Sequence, residues 1–348
     1  MASDAPDRLP ALFSEAIKVV RLDSHTYEAN LDEGFSIGAV PNGGYAASCM
    51  LAAASAHLSS RRQADLLTAH FEFPSRTSTG AAVIAIEDVK LGQQISILHL
   101  TLWQGGLLSQ TPWVTPSLSR RSILGYVNFA NLRTFTGMTM PTGYWETPAA
   151  ELPSPMPDFQ ALKTEGRDEG WRLSKIPRSS AQTQRSLQRW QFYLPRNGPL
   201  TPGVCDMWIR LASGERITQG VLAYVVDSFP MDMNTFFAST EMRKLFYNAP
   251  KNPETSTEEN HSEDKQRAGV WLPTVVMNLE VKKALPEDGV EWLAVRATSK
   301  QIQDGKFDLD LVVRDGEGEL VALSSHVALI LEMGRNTVKR KPSTESML

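Results

Sequence analysis

Pro41-Asn42-Gly43-Gly44, running without a break into Tyr45-Ala46-Ala47-Ser48-Cys49-Met50-Leu51-Ala52-Ala53-Ala54-Ser55-Ala56-His57-Leu58, is the stretch that decides the architecture. The Asn-Gly-Gly cluster is a turn signal, of the kind that supplies positive φ. The run behind it is rich in Ala, Leu and Met and holds no breaker, so it predicts a helix entered through a glycine pair. Its faces are nearly all apolar or small, which leaves no wet side and requires burial on every side. Two short strands are predicted between Thr26 and Val40 around Asp32-Glu33-Gly34, and further strands at Leu66 to Phe73, Ala81 to Leu91, Ile95 to Trp103 and Leu107 to Val114. A strand set with one dry face must bury that face on something. One helix laid in a curved sheet satisfies both partners.

The same order returns later in the chain. Strands are predicted at Arg189 to Leu194 and Met207 to Leu211, a continuous apolar helix from Ile217 to about Val226, then strands at Val270 to Val281, Glu291 to Ile302, Phe307 to Arg314 and Leu320 to Leu331. Phe307, Leu309 and Leu311 alternate with Asp308 and Asp310, as a sheet with one wet face demands. Gly92 and Gly105 are 13 residues apart, as are Gly305 and Gly318, and Leu107 and Leu320 each follow two residues later. The expectation is an α+β chain of two tandem units, at 11–115 and 189–334, with a connecting region at 116–188 and a tail at 335–348. Pairing the two sheets edge to edge would remove an exposed edge from each. The acidic stretch from Phe246 to Gln266 reads as a mobile surface excursion.

Composition narrows the function. The chain of 348 residues is 42% apolar and 21% charged, ordinary for a globular protein, and no apolar run approaches the roughly 18 residues of a membrane span. A formal charge of -4 with only short basic clusters, Arg61-Arg62 and Lys339 to Lys341, argues against nucleic acid as a partner. Cys49 and Cys205, each in an apolar stretch, do not suggest a disulfide framework. The polar, acid-bearing N-terminus lacks a secretion signal, so a cytoplasmic location is expected. There is no phosphate-binding glycine loop, no Gly-x-Ser-x-Gly elbow and no His/Cys spacing suited to zinc; His57 and His99 read as isolated structural residues, and neither a metal nor a cofactor is expected.

Three segments resemble the double-hotdog acyl-CoA thioesterases, the family of bacterial thioesterase II and of many fungal thioesterase-like proteins. Pro41-Asn42-Gly43-Gly44-Tyr45-Ala46-Ala47 is similar to the glycine-pair entry into that family's first helix. Met207-Trp208-Ile209-Arg210 through Val226-Asp227-Ser228-Phe229-Pro230 resembles the strand and helix before its catalytic aspartate. Leu272-Pro273-Thr274-Val275-Val276 through Leu320-Val321-Ala322-Leu323-Ser324-Ser325-His326 resembles its closing strands. The resemblance implies a double hotdog, an acyl-CoA or carrier-bound acyl substrate, a homo-oligomer, and a water held by an Asp, a Thr or Ser, and a Gln. Carried over by position, these fall on Asp227, Thr274 and His326, with His in place of Gln. Val276 stands where an Asp is common in the family.

Hydrolysis of a thioester needs an activated water and donors for the developing oxyanion. Asp227 follows the apolar run Val221 to Val226, so burial should raise its proton affinity; Thr274 can fix the water and His326 can serve as base or orienter. Backbone N–H groups of Gly43-Gly44 or Gly220 are the candidate oxyanion donors, with Asn42, Tyr45 and His70 as further candidate substrate contacts. Each residue also has a structural reading: Asp227 as a cap near Pro230, Thr274 as an ordinary strand residue, His326 as a satisfied core histidine, His70 as an interface residue. Two other functions stay open at this point. One is a hotdog isomerase, dehydratase or cyclase of secondary metabolism, moving protons between Asp227 and His326; the other is a non-catalytic acyl or metabolite binder.

Overall fold

The computed structural model describes residues 12–147, 150–152, 155–176, 181–199, 201–230 and 270–337. The stretch 246–266, Met231 to Met233 and the end of the tail lie outside the described residues. In chain order the first half comprises helix α1 (Phe13–Ala16), strands β1 (Val19–Arg21), β2 (Thr26–Leu31), β3 (Ser36–Ile37) and β4 (Val40–Pro41), helix α2 (Gly43–His57), and strands β5 (Asp65–Glu72), β6 (Gly80–Leu91), β7 (Ser96–Gln104) and β8 (Arg120–Ala130). The rest comprises helix α3 (Phe159–Glu165), strands β9 (Trp171–Leu173), β10 (Trp190–Pro195) and β11 (Val204–Leu211), helix α4 (Leu222–Val226), and strands β12 (Val270–Trp271), β13 (Thr274–Val281), β14 (Leu293–Thr298), β15 (Ile302–Gln303), β16 (Lys306–Arg314), β17 (Leu320–Leu329) and β18 (Leu331–Glu332).

Among the described residues, fourteen strands form one antiparallel sheet, in the order β1-β2-β6-β7-β8-β5-β13-β17-β16-β14-β11-β10-β9, with β15 pairing off β16. The two halves meet edge to edge at β5 and β13, where Phe71 pairs with Met277 and His70 with Asn278. The result is a double hotdog with two helices inside one continuous wrapper. Residues of the inner face alternate with half-exposed ones, as Phe307, Leu309 and Leu311 do with Asp308 and Asp310 on β16. Helix α2 is buried from Gly44 through Ala54 with only Ala52 partly exposed, as its apolar faces require.

Three expectations need correction. Leu107 to Val114 is a turn closed by a single bridge between those residues, and the strand that completes the first sheet is β8, inside the stretch read as a connection. Strand β8 opens on Arg120-Arg121, and its inward positions Ile123, Gly125, Val127 and Phe129 include a glycine, so its apolar face is thin in sequence. The glycine is needed because a Cβ at Gly125 would lie 2.7 Å from the Phe71 ring. The same stretch also carries α3, which packs Leu162 and Phe159 against Trp171, Trp208 and Trp292 on the outer side of the second half's sheet. Helix α4 is shorter than expected, preceded by a single 3-10 turn at Gln219–Val221.

An aromatic cluster joins the helices across the two halves. Phe35 stacks on Tyr45 at 4.6 Å, Phe13 stacks on Tyr224 at 5.2 Å, and Phe35 meets Tyr224 edge-on at 5.8 Å. Each of the four rings contacts the other three and Phe35 is fully buried among them, so Phe35→Ala should lower the unfolding free energy by about 3–5 kcal/mol. Urea denaturation monitored by tryptophan fluorescence measures this; a loss under about 1 kcal/mol would mean the halves are joined through the sheet alone.

Candidate active site

Asp227, Thr274 and His326 converge between the halves. Asp227 sits one residue past α4, at the end that abuts the N-terminus of α2. Its Oδ2 accepts the Gly44 amide at 2.7 Å, and its Oδ1 accepts the Thr274 hydroxyl, also at 2.7 Å. Thr274 reaches inward because the β13–β17 register shifts between Thr274 and Val276; without that bulge, alternation with Met277 and Leu279 would turn it outward. His326 comes from β17, with its side chain fully buried and Nδ1 3.8 Å from Asp227 Oδ1. Its Nε2 lies 2.9 Å from Ser324 Oγ, and that hydroxyl donates its single proton to the Asn278 carbonyl. Nε2 must therefore carry the histidine proton, which leaves Nδ1 as a lone pair facing Asp227, without a hydrogen-bond partner among the described residues.

Burial raises the Asp227 carboxyl from 3.8 to about 6, against the opposing pull of the Thr274 hydroxyl and the Gly44 and Gly43 amides. Burial alone pushes His326 down from 6.5 to about 3, so it is neutral at any working pH. Of the two, the carboxylate is the stronger base by far.

The remaining candidates divide. Asn42 caps α2, its Oδ1 accepting the Tyr45 amide at 2.9 Å, while its Nδ2 donates to the Asp227 carbonyl at 2.8 Å. Gly43 and Gly44 are not in a positive-φ turn; they form the first turn of α2. Glycine is required there by close approach, since a Cβ on Gly44 would lie 2.2 Å from the Ala223 carbonyl oxygen and 2.6 Å from Asp227 Cβ. The Gly44 amide is spent on the carboxylate and does not point at a substrate. Tyr45 is a core residue, its hydroxyl tied to the Ala16 carbonyl and the Asp32 amide. Gly220 lies before α4, at the opposite end from Asp227 and beside Ile17. His70 is on the outer face of the sheet at the β5–β13 seam, half-exposed and bonded to Asn278 at 2.7 Å. Sequence reasoning missed Ser324, whose signal was only its place two residues before His326 on the same strand face.

The chain matches the model of the acyl-CoA thioesterase N-terminal domain over residues 31–119 and that of the acyl-CoA thioesterase C-terminal domain over residues 158–330. It is 60% identical, over the full length of both chains, to the thioesterase-like protein TwmA of Talaromyces wortmannii. Among solved structures it is similar to a hot dog fold protein from Alicyclobacillus acidocaldarius, at 17% identity and a TM-score of 0.62, with 92% of this chain and 97% of that one covered. It is also similar to an acyl-CoA thioesterase II from Mycobacterium marinum, at 15% identity and a TM-score of 0.53, with 92% and 98% covered. Among the described residues no helix is long and apolar enough to cross a membrane.

Because the ionised form of Asp227 is the disfavoured one in the folded chain, this group costs stability above about 6 and nothing below the ordinary 3.8. Unfolding free energy should therefore fall as pH rises between those values, by on the order of 3 kcal/mol. Asp227→Asn cannot ionise and should escape that loss. Urea titrations of both proteins across this pH window should show the difference shifting in the variant's favour; a constant difference would mean the carboxyl is not raised.

Proposed function

We propose that this chain, which belongs to the acyl-CoA thioesterase family and is an acyl-thioester hydrolase, attacks its substrate with a water held between Asp227 and His326. The observation that carries this reading is the buried Nδ1 of His326, which has no hydrogen-bond partner among the described residues and faces Asp227 Oδ1 across 3.8 Å. Two acceptors at that spacing suit a water that donates one hydrogen to each and turns a lone pair toward the thioester carbonyl. Thr274 keeps Oδ1 in place through its 2.7 Å bond.

The water's oxygen forms the new bond to the carbonyl carbon and its proton passes to Asp227. The carbon–sulfur bond then breaks, and the proton returns from Asp227 to the departing thiolate. A carboxyl at about 6 accepts and releases a proton easily near neutrality, whereas an imidazole held at about 3 does not. His326 is thus an orienter through an acceptor atom, a task that a Gln carbonyl oxygen performs equally well. That substitution for the family's Gln leaves the chemistry intact. Phe73, packed beside Gly43, and Phe229, 6.4 Å from the His326 ring, make the approach apolar and suited to an acyl chain.

A panel of acyl-CoA thioesters and acylated carrier protein, followed with a thiol reagent, tests the reading and shows which carrier is preferred. Asp227→Asn should lower kcat by roughly a hundredfold or more. His326→Gln should retain activity to within about tenfold, while His326→Leu should lose far more. The plot of kcat/KM against pH should climb through about 6 and then level, with no second limb from His326. If His326→Gln is as damaged as Asp227→Asn, the histidine is the base and this assignment is wrong.

A further inference from the structure

At the far end of α2 from Asp227, three side chains from three elements point at one another. His57 occupies the last turn of α2, His25 precedes β2, and Asp88 lies on β6 at its register shift. His57 Nε2 is 2.8 Å from Asp88 Oδ1, and His25 Nε2 is 3.1 Å from Asp88 Oδ2. The imidazole centroids are 5.0 Å apart, and the ligand-capable atoms all fall within 4.8 Å of one another. His57 is nearly buried, Asp88 a quarter exposed and His25 half-exposed, so the group is walled on one side and open on the other.

We infer that His25, His57 and Asp88 form a binding site for a divalent transition-metal ion of the zinc class. Two imidazoles and one carboxylate are the donor set that borderline ions favour over calcium or magnesium, which take oxygen ligands. The rings are aimed: both present Nε2 to the same carboxylate, and the other nitrogen of His25 is 2.8 Å from Ser24 Oγ, the outer contact that fixes a ligating ring. Small movements of the exposed His25 bring the donors around an ion about 2.0–2.2 Å from each, with water completing the shell on the open side. The bound ion ties the turn before β2, the end of α2 and β6 together. This site is independent of the hydrolytic reading, lying at the other end of a helix about 22 Å long.

Titration calorimetry of zinc(II) into the chelator-treated full chain tests the site. The expected result is a single saturable site and a raised melting temperature with zinc but not with magnesium. His25→Gln and His57→Gln should each weaken zinc by roughly tenfold or more, with thioester hydrolysis unchanged. His25→Gln is the safer variant, because that side chain is half-exposed and its replacement leaves the core alone. Saturable uptake that survives both substitutions undiminished would put the ion elsewhere and overturn the proposal. Absence of saturable uptake would overturn it too, leaving a hydrogen-bonded clamp.

Discussion

The contact on which the molecule depends is the approach of the α2 backbone to Asp227. An anion shut away from water is unfavourable unless donors surround it. The amide of Gly44, the positive end of a 15-residue helix and the Thr274 hydroxyl supply that surrounding. The supply works only if the helices touch almost backbone to backbone, because the Ala223 carbonyl already occupies the space that a side chain on residue 44 would need. From that closeness follow the aromatic packing of Phe13, Phe35, Tyr45 and Tyr224 around the same crossing, and the need to join the sheets at β5 and β13 so that Thr274 arrives on the correct side.

Much of this was legible in the sequence. The buried helix behind the glycine pair, the second apolar helix and the alternating strands around Phe307 to Leu311 carry strong local patterns, because a helix wrapped on every side has no polar face to blur the signal. Strand β8 was not legible. Its inward glycine makes room for Phe71 from a neighbouring strand, and a residue chosen by a partner 54 positions away leaves no trace in its own surroundings. The role of the glycine pair was also misread: sequence shows that small residues are wanted, not whether the reason is backbone conformation or crowding.

Asp227, Thr274 and His326 were singled out through family likeness, and their local context gives only weak hints. The inward turn of Thr274 depends on a bulge, which no alternation rule anticipates, and the state of His326 depends on where a serine hydroxyl sends its proton. The histidine pair with Asp88 escaped notice for a related reason. Its members are 32 and 31 residues apart along the chain, and ligands gathered from a turn, a helix end and a strand have no spacing to recognise.

The tandem design also has an asymmetry. Seven residues beyond Gly220 stands Asp227, and seven beyond Gly44 stands Leu51, buried and without an ionisable atom. The repeat has thus specialised. The first half contributes the Gly44 amide and the end of its helix, the second the carboxylate together with Thr274 and His326, and the position that matches Asp227 by this count is a packing residue. Neither half holds the whole group, and a single polypeptide keeps the two contributions at equal dose and in one orientation.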